Sequence, residues 1–200
     1  TYMDTPVWEQ LQYIDDSQIQ ALISYTVAGD ARLARQALRA FDQSRVPSGL
    51  TQSRYPSLLP QFIPNFSLTY LDMLHEYWMY EPDSDLIREL LPGTRSIADW
   101  FIRHQRPDGF LDQLPFWMAI DFPQGVKTFP RSDKAGRSSL VTLLFVHALR
   151  NAAELEDALG DAALAANYRT RADRAAAAVM AQCWNSKVGL LADTPEQTSY

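Results

Sequence analysis

The sequence predicts an all-α fold of the (α/α) toroid kind, with three helical hairpins in residues 1–200. Three observations predict it. Apolar residues recur at helical spacing in six separate stretches. The same two turn signals recur around each pair of stretches. No stretch sustains the period-two alternation of a strand.

Ile19, Leu22, Ile23, Thr26 and Val27 step by three and four and mark the first helix. Ala34, Ala37, Leu38 and Phe41 mark the second, and Leu71, Leu74 and Trp78 the third. The fourth begins at Leu86, Ile87, Leu90 and Leu91 and resumes through Ile97, Trp100 and Phe101. A break is expected near Pro92 and Gly93. Leu144, Ala148, Ala152, Leu155 and Leu159 mark the fifth helix. Tyr168, Ala172, Ala175, Val179 and Cys183 mark the sixth.

The turns inside the pairs share a pattern. Asp30, Asp83 and Asp161 each stand three residues before a leucine and just after Gly29, Pro82 or Gly160. Glycine is expected to end one helix in the left-handed region and aspartate to cap the next. Gly49, Gly109 and Gly189 then open a longer loop after each pair. The turns are too far apart and too unequal for a short-repeat solenoid. The loops at about 44–65 and 106–137 are long enough to be functional, and they are expected at the same end as residues 4–16.

A net charge of −6 argues against a nucleic-acid backbone or an anionic membrane as partner. No apolar run approaches the roughly 20 residues of a membrane span. The single cysteine, Cys183, excludes an intrachain disulfide and a multi-cysteine metal site, and its helical pattern places it in the core. No His-x-x-x-His, phosphate loop or dinucleotide turn occurs, so no metal and no cofactor is expected. His75, His104 and His147 are read as structural or exposed. Arg131, Lys134 and Arg137 are read as a solvated stretch. Thr1 and the uncapped end at Tyr200 are read as cuts in a longer chain. The compartment stays open.

The chemistry-bearing stretch is 3–17. Asp4, Glu9, Asp15 and Asp16 lie close together there, with Trp8 and Tyr13 among them. Hydrolysis of a glycoside needs a carboxyl kept protonated near neutral pH, and carboxylate neighbours with apolar cover favour that state. The plainer reading is that Asp15 or Asp16 caps the first helix, with Gln18 completing a capping box, and that Glu9 is solvated. Trp117 is open to two readings as well, a platform for a sugar ring or ordinary loop packing.

The run Asp4-Thr5-Pro6-Val7-Trp8-Glu9-Gln10-Leu11-Gln12-Tyr13-Ile14-Asp15-Asp16-Ser17 resembles the hallmark of the bacterial α-L-rhamnosidases of glycoside hydrolase family 78. That hallmark is approximately Asp-Cys-Pro-x-x-Glu-Arg-x-Gly-Trp-x-Gly-Asp-Ala. Phe66-Ser67-Leu68, His75-Glu76-Tyr77-Trp78 and Trp117-Met118-Ala119-Ile120-Asp121-Phe122 are similar to later segments of the same family. So are Ala152-Ala153-Glu154-Leu155, Leu159-Gly160-Asp161, and Trp184 with Gly189-Leu190 and Asp193. The resemblance implies a six-hairpin glycosidase domain, of which residues 1–200 are the N-terminal half. It implies Glu9 as general acid and Asp4 and Asp16 as carboxylates binding sugar hydroxyls. Tyr13 takes the place of a stacking tryptophan. Trp8, Trp117 and Asp121 complete the implied substrate site for a rhamnose-like sugar. It further implies hydrolysis with inversion, with the general base outside this chain. The family's arginine beside the acid is replaced by Trp8 and Gln10, and Asp15 stands in place of a glycine. Two other readings remain: a non-catalytic helical scaffold binding sugar or protein, and another toroid hydrolase of the glucoamylase or uronyl-hydrolase kind. Half a toroid is expected to self-associate through its uncovered flanks.

Overall fold

The computed structural model describes residues 1–120 and 130–197. Among these residues six helices form three hairpins in chain order. The first pairs α1 (Ile14–Ala28) with α2 (Arg32–Gln43), the second α3 (Pro64–Tyr80) with α4 (Ser84–Arg103), and the third α5 (Ser139–Leu159) with α6 (Ala162–Cys183). A ribbon of β1 (Trp184–Asn185) and β2 (Leu190–Leu191) follows, paired antiparallel. The fold class is all-α.

The helices form two layers. α1 packs on α3 and α3 on α5, so the first helix of each hairpin stands in one layer. α2 lies behind α1 and α3, α4 behind α3 and α5, and α6 behind α5. The two layers follow the order of a toroid of helical hairpins. The apolar stripes read for α2 to α6 meet between the layers, where Phe41, Tyr70, Phe101, Phe145 and Tyr168 are fully buried. α1 departs from its expected stripe: it buries Ile14, Ser17, Ala21 and Tyr25, and Ile19, Ile23, Thr26 and Val27 face solvent. Phe101 of α4 meets Phe145 of α5 at 6.1 Å between centroids. Truncating a buried phenylalanine of this kind costs about 3–5 kcal/mol.

The expected turn signals act in three different ways. Gly29 closes α1 in the left-handed region at φ 58°, and Asp30 accepts from the Arg32 amide at 3.0 Å. Asp83 caps α4 by accepting from the Leu86 amide. Asp161 caps α6 through the amides of Ala163 and Leu164. Gly160, however, is not left-handed: its φ is −126° and its ψ −120°. Its glycine is needed for space, because a Cβ there would overlap the Glu156 carboxylate. That carboxylate is buried, receives the Asp161 amide at 2.9 Å, and is gripped by Arg95 of α4 through Nε at 2.7 Å and Nη2 at 2.8 Å. An ion pair between the half-exposed Arg95 and a buried carboxylate therefore ties the second hairpin to the third.

Two further local expectations fail. α4 runs unbroken through Pro92. Pro92 faces solvent while Leu90, Leu91, Thr94 and Ile97 on both sides of it are buried. Packing of those flanks outweighs one missing backbone hydrogen bond. Neither Asp15 nor Asp16 caps α1: the N-cap position is Tyr13, with no side-chain cap. Asp15 and Asp16 sit in the first turn, where the helix dipole favours carboxylates. Gln18 completes no capping box, since its amide donates to Glu76 of α3 at 2.8 Å.

The loops gather at one end. The Tyr55 amide donates to the Gln12 carbonyl and the Ile14 amide to the Ser53 carbonyl, each at 3.0 Å. Tyr13 and Arg54 thus face each other in an antiparallel bridge. The loop before α3 is in this way laced to the segment that enters α1.

Candidate active site

A cleft of about 700 Å³ opens at this loop end. Its walls come from residues 4–19, from 61–69 and from 117–120, with Leu144 of α5. Three segments separated by tens of residues thus enclose one space.

Five of the seven residues singled out from the sequence line it: Asp4, Glu9, Tyr13, Asp16 and Trp117. Trp8 does not. It is 88% exposed at the tip of its loop and leaves Glu9 uncovered on that side. Asp121 lies outside the described residues. Asp15 joins Asp16 in the wall, so four carboxylates and the faces of Tyr13, Phe66 and Trp117 share the cleft. Carboxylates to grip hydroxyls, with aromatic faces to cover C–H surface, suit a sugar.

Asp4 closes its own loop. Its Oδ1 accepts from the Leu11 amide at 3.0 Å and its Oδ2 from the Thr5 hydroxyl at 3.2 Å. The Thr5 hydroxyl oxygen in turn accepts from the Glu9 amide at 3.1 Å, which fixes the backbone beneath Glu9. Gln10 then takes a positive φ of 55°, uncommon for a residue with a Cβ. The Glu9 side chain itself is exposed.

Tyr13 is 8% exposed. Its hydroxyl accepts from Arg54 Nη1 at 2.6 Å, and the guanidinium sits 5.5 Å from the ring centroid. Phe66 meets the ring edge-on at 6.3 Å. Burial raises the phenol's pKa, and hydrogen bonding to Glu9 raises it further against the opposing pull of Arg54.

Sequence reasoning missed several residues here. Asn65, buried near the start of α3, pairs with the backbone of Ala119. Its Nδ2 donates to the Ala119 carbonyl at 2.7 Å, and its Oδ1 accepts from the Ala119 amide at 3.3 Å. This clasp holds the segment bearing Trp117. Arg54, Gln61 and Thr69 were also unmarked; no periodic signal points to them.

One and two turns further along α3, on the face of Asn65 and Thr69, stand Asp72 and Glu76. Asp72 is 7% exposed. It accepts from Asn151 Nδ2 of α5 at 2.8 Å, with His147 Nε2 at 3.8 Å. Burial pushes its carboxyl up to about 7, and Glu76 adds to the rise. Burial raises Glu76 as well. His75 pairs with Glu154 of α5 at 2.7 Å. His75 of α3 thus pairs across to α5, and His147 of α5 stands beside the buried Asp72 of α3. Among the described residues no group of three or more His, Cys, Asp or Glu could hold a metal ion. No described helix is long and apolar enough to cross a membrane.

The family model described as the bacterial alpha-L-rhamnosidase 6 hairpin glycosidase domain matches residues 1–200. The chain belongs to this family. Solved relatives of this rhamnosidase-family chain share its fold. The family 78 rhamnosidase of Bacillus sp. GL1 superposes with a TM-score of 0.84 at 23% identity, covering 96% of this chain and 20% of that one. The Klebsiella oxytoca rhamnosidase, solved with rhamnose bound, gives 0.82 at 21%, covering 96% of this chain and 36% of that one. The alpha-L-rhamnosidase of Dictyoglumus thermophilum gives 0.74 at 19%, covering 92% and 20%. The rhamnosidase-family chain thus spans between a fifth and somewhat over a third of the length of these relatives. None of the curated proteins matches it.

Proposed function

We propose that this chain supplies the acid half of a glycosidase site that hydrolyses terminal α-L-rhamnosides. The observation that carries the reading is the cleft, which collects Glu9, two further carboxylates singled out from the sequence, Tyr13 and Trp117. The Klebsiella oxytoca relative holds rhamnose, which supports a sugar of that kind.

In this reading Glu9 gives its proton to the glycosidic oxygen as the bond to the anomeric carbon breaks. Asp4 and Asp16 hold ring hydroxyls, and Tyr13 and Trp117 cover the sugar. A second carboxylate, outside residues 1–200, activates water from the opposite face, which inverts the anomeric centre. In such enzymes the two carboxyls stand about 6.5–9.5 Å apart.

Glu9→Gln tests the assignment in the longest polypeptide that contains this chain. Turnover of a substrate with a poor leaving group should fall by about 10²–10⁴-fold. The loss should shrink on an activated aryl glycoside, whose leaving oxygen needs little protonation. A loss within about twofold on the poor substrate would overturn the acid role. The exposure of Glu9 favours one second reading, a sugar-binding scaffold without catalysis. That reading predicts saturable sugar binding with no turnover in the parent protein.

A further inference from the structure

The role of Arg54 follows from counting donors. A guanidinium only donates hydrogen bonds. Arg54 Nη1 donates to the Tyr13 hydroxyl oxygen at 2.6 Å, so the single phenolic proton must point elsewhere. Glu9 shares the cleft wall with Tyr13 and is the carboxylate that raises the phenol's pKa, so it is the acceptor available to that proton. The remaining carboxylates of the cleft belong to Asp4, Asp15 and Asp16, and Arg54 is the cation against Tyr13.

Arg54 is itself held from two directions. The antiparallel bridge sets its backbone opposite Tyr13, and the flanking hydrogen bonds from Ile14 and Tyr55 lock that register at 3.0 Å each. Its guanidinium also covers the Tyr13 ring at 5.5 Å, a cation–π distance. One side chain thereby fixes both the plane of the ring and the direction of its proton.

We propose that Arg54 is a positioning residue of the glycosidase site: it holds the Tyr13 ring in the cleft wall and turns the phenolic proton toward Glu9. The proposal rests on the reading of Glu9 as general acid for its effect on rate. The geometric part stands without it. Arg54 is not among the residues lining the cleft and reaches it through Tyr13, so its contribution should vanish once the phenol is gone.

Two measurements test this. In the first, the 200-residue chain is labelled with ¹³Cζ-tyrosine. The Tyr13 resonance is assigned by its loss in Tyr13→Phe and titrated with base. Arg54→Met should move the Tyr13 transition to higher pH, because a cation facing the phenolate is lost. Glu9→Gln should move it to lower pH, and Arg54→Lys, which keeps the charge, should lie between wild type and Arg54→Met. In the second, kcat/KM is measured in the longest polypeptide containing the chain. Arg54→Met should lower it about 10–100-fold in the presence of Tyr13, the loss expected for a charge-assisted hydrogen bond. In the Tyr13→Phe background the same change should cost less than about threefold.

Equal losses in both backgrounds would overturn the proposal, since a merely structural Arg54 costs the same with or without the hydroxyl. An unmoved Tyr13 titration in Arg54→Met would overturn it as well. A protein that hydrolyses nothing yet shows the titration shifts would refute the proposed activity and uphold the Arg54–Tyr13–Glu9 arrangement. Arg54→Lys keeps the test decisive if the methionine variant fails to fold.

Discussion

Asp72→Asn should stabilise the protein at neutral pH and leave it nearly unchanged near pH 4. Asp72 is 7% exposed, with a hydrogen bond from Asn151 and Glu76 as a negative neighbour. Burial pushes its carboxyl from 3.8 up to about 7. A carboxyl that holds its proton more tightly when folded favours folding at low pH. That contribution is fully present below the unfolded value and is lost as pH climbs through the folded one. At about 1.4 kcal/mol per pH unit, the whole window costs about 4 kcal/mol. Asparagine keeps the shape and an acceptor for Asn151, and it has no charge to bury. Urea unfolding of both proteins between about pH 4 and about pH 8 reads the effect. The stability difference between variant and parent should grow by several kcal/mol across that range. Asp83, Glu89 and Asp133, whose pKa values are lowered, contribute slopes of the opposite sign. They are common to both proteins and cancel in the difference. A difference that does not change with pH would refute the reasoning, because it would mean that Asp72 stays charged at little cost.

Asn65→Ala should speed hydrogen exchange at the Ala119 amide and cost about 1–3 kcal/mol, the usual price of unpaired buried groups; unchanged exchange there would show that the clasp on Ala119 is not what holds the segment. Ile19, Ile23 and Val27 form one exposed stripe along α1, at 59%, 55% and 81%. Sedimentation of the isolated chain should show concentration-dependent association that replacing all three with serine abolishes, and a stable monomer at high concentration would rule it out.

The hairpins were legible because a stripe at period 3.6 is written in any single helix, but on α1 the most apolar stripe is the one that faces solvent, and Ile14, Ala21 and Tyr25 turn inward beside the polar Ser17. The glycines at 49, 109 and 189 were legible too, and all three take positive φ, at 111°, 98° and 70°. Pro92 misled because a local penalty says nothing of the buried flanks on either side. The cleft was half legible. Asp4, Glu9, Tyr13 and Asp16 lie in one short run, so a linear motif can hold them. Arg54 and Asn65 act through partners 41 and 54 residues away, in aperiodic loops or against bare backbone. Asp72 looks like any polar residue on a helix until Asn151 and His147 of α5 arrive beside it. Trp8 shows the converse: an aromatic beside a candidate acid reads as cover, yet its loop turns it out to solvent.

Residues 4–11 form a loop tied at the neck, where the Asp4 amide donates to the Leu11 carbonyl at 2.9 Å and the Leu11 amide returns a bond to Asp4 Oδ1 at 3.0 Å. Pro6, Val7 and Trp8 at the tip are exposed, whereas Glu9 is anchored through its amide to Thr5 beside the knot. Tip and knot therefore differ in how freely they can diversify. A library randomised at positions 6–8 would change what the loop tip offers to a ligand, with the carboxylates left in place. A substitution at Asp4 would loosen the knot and move Glu9 with it. Selectivity can drift at the fingertip of this loop only because the knuckle does not.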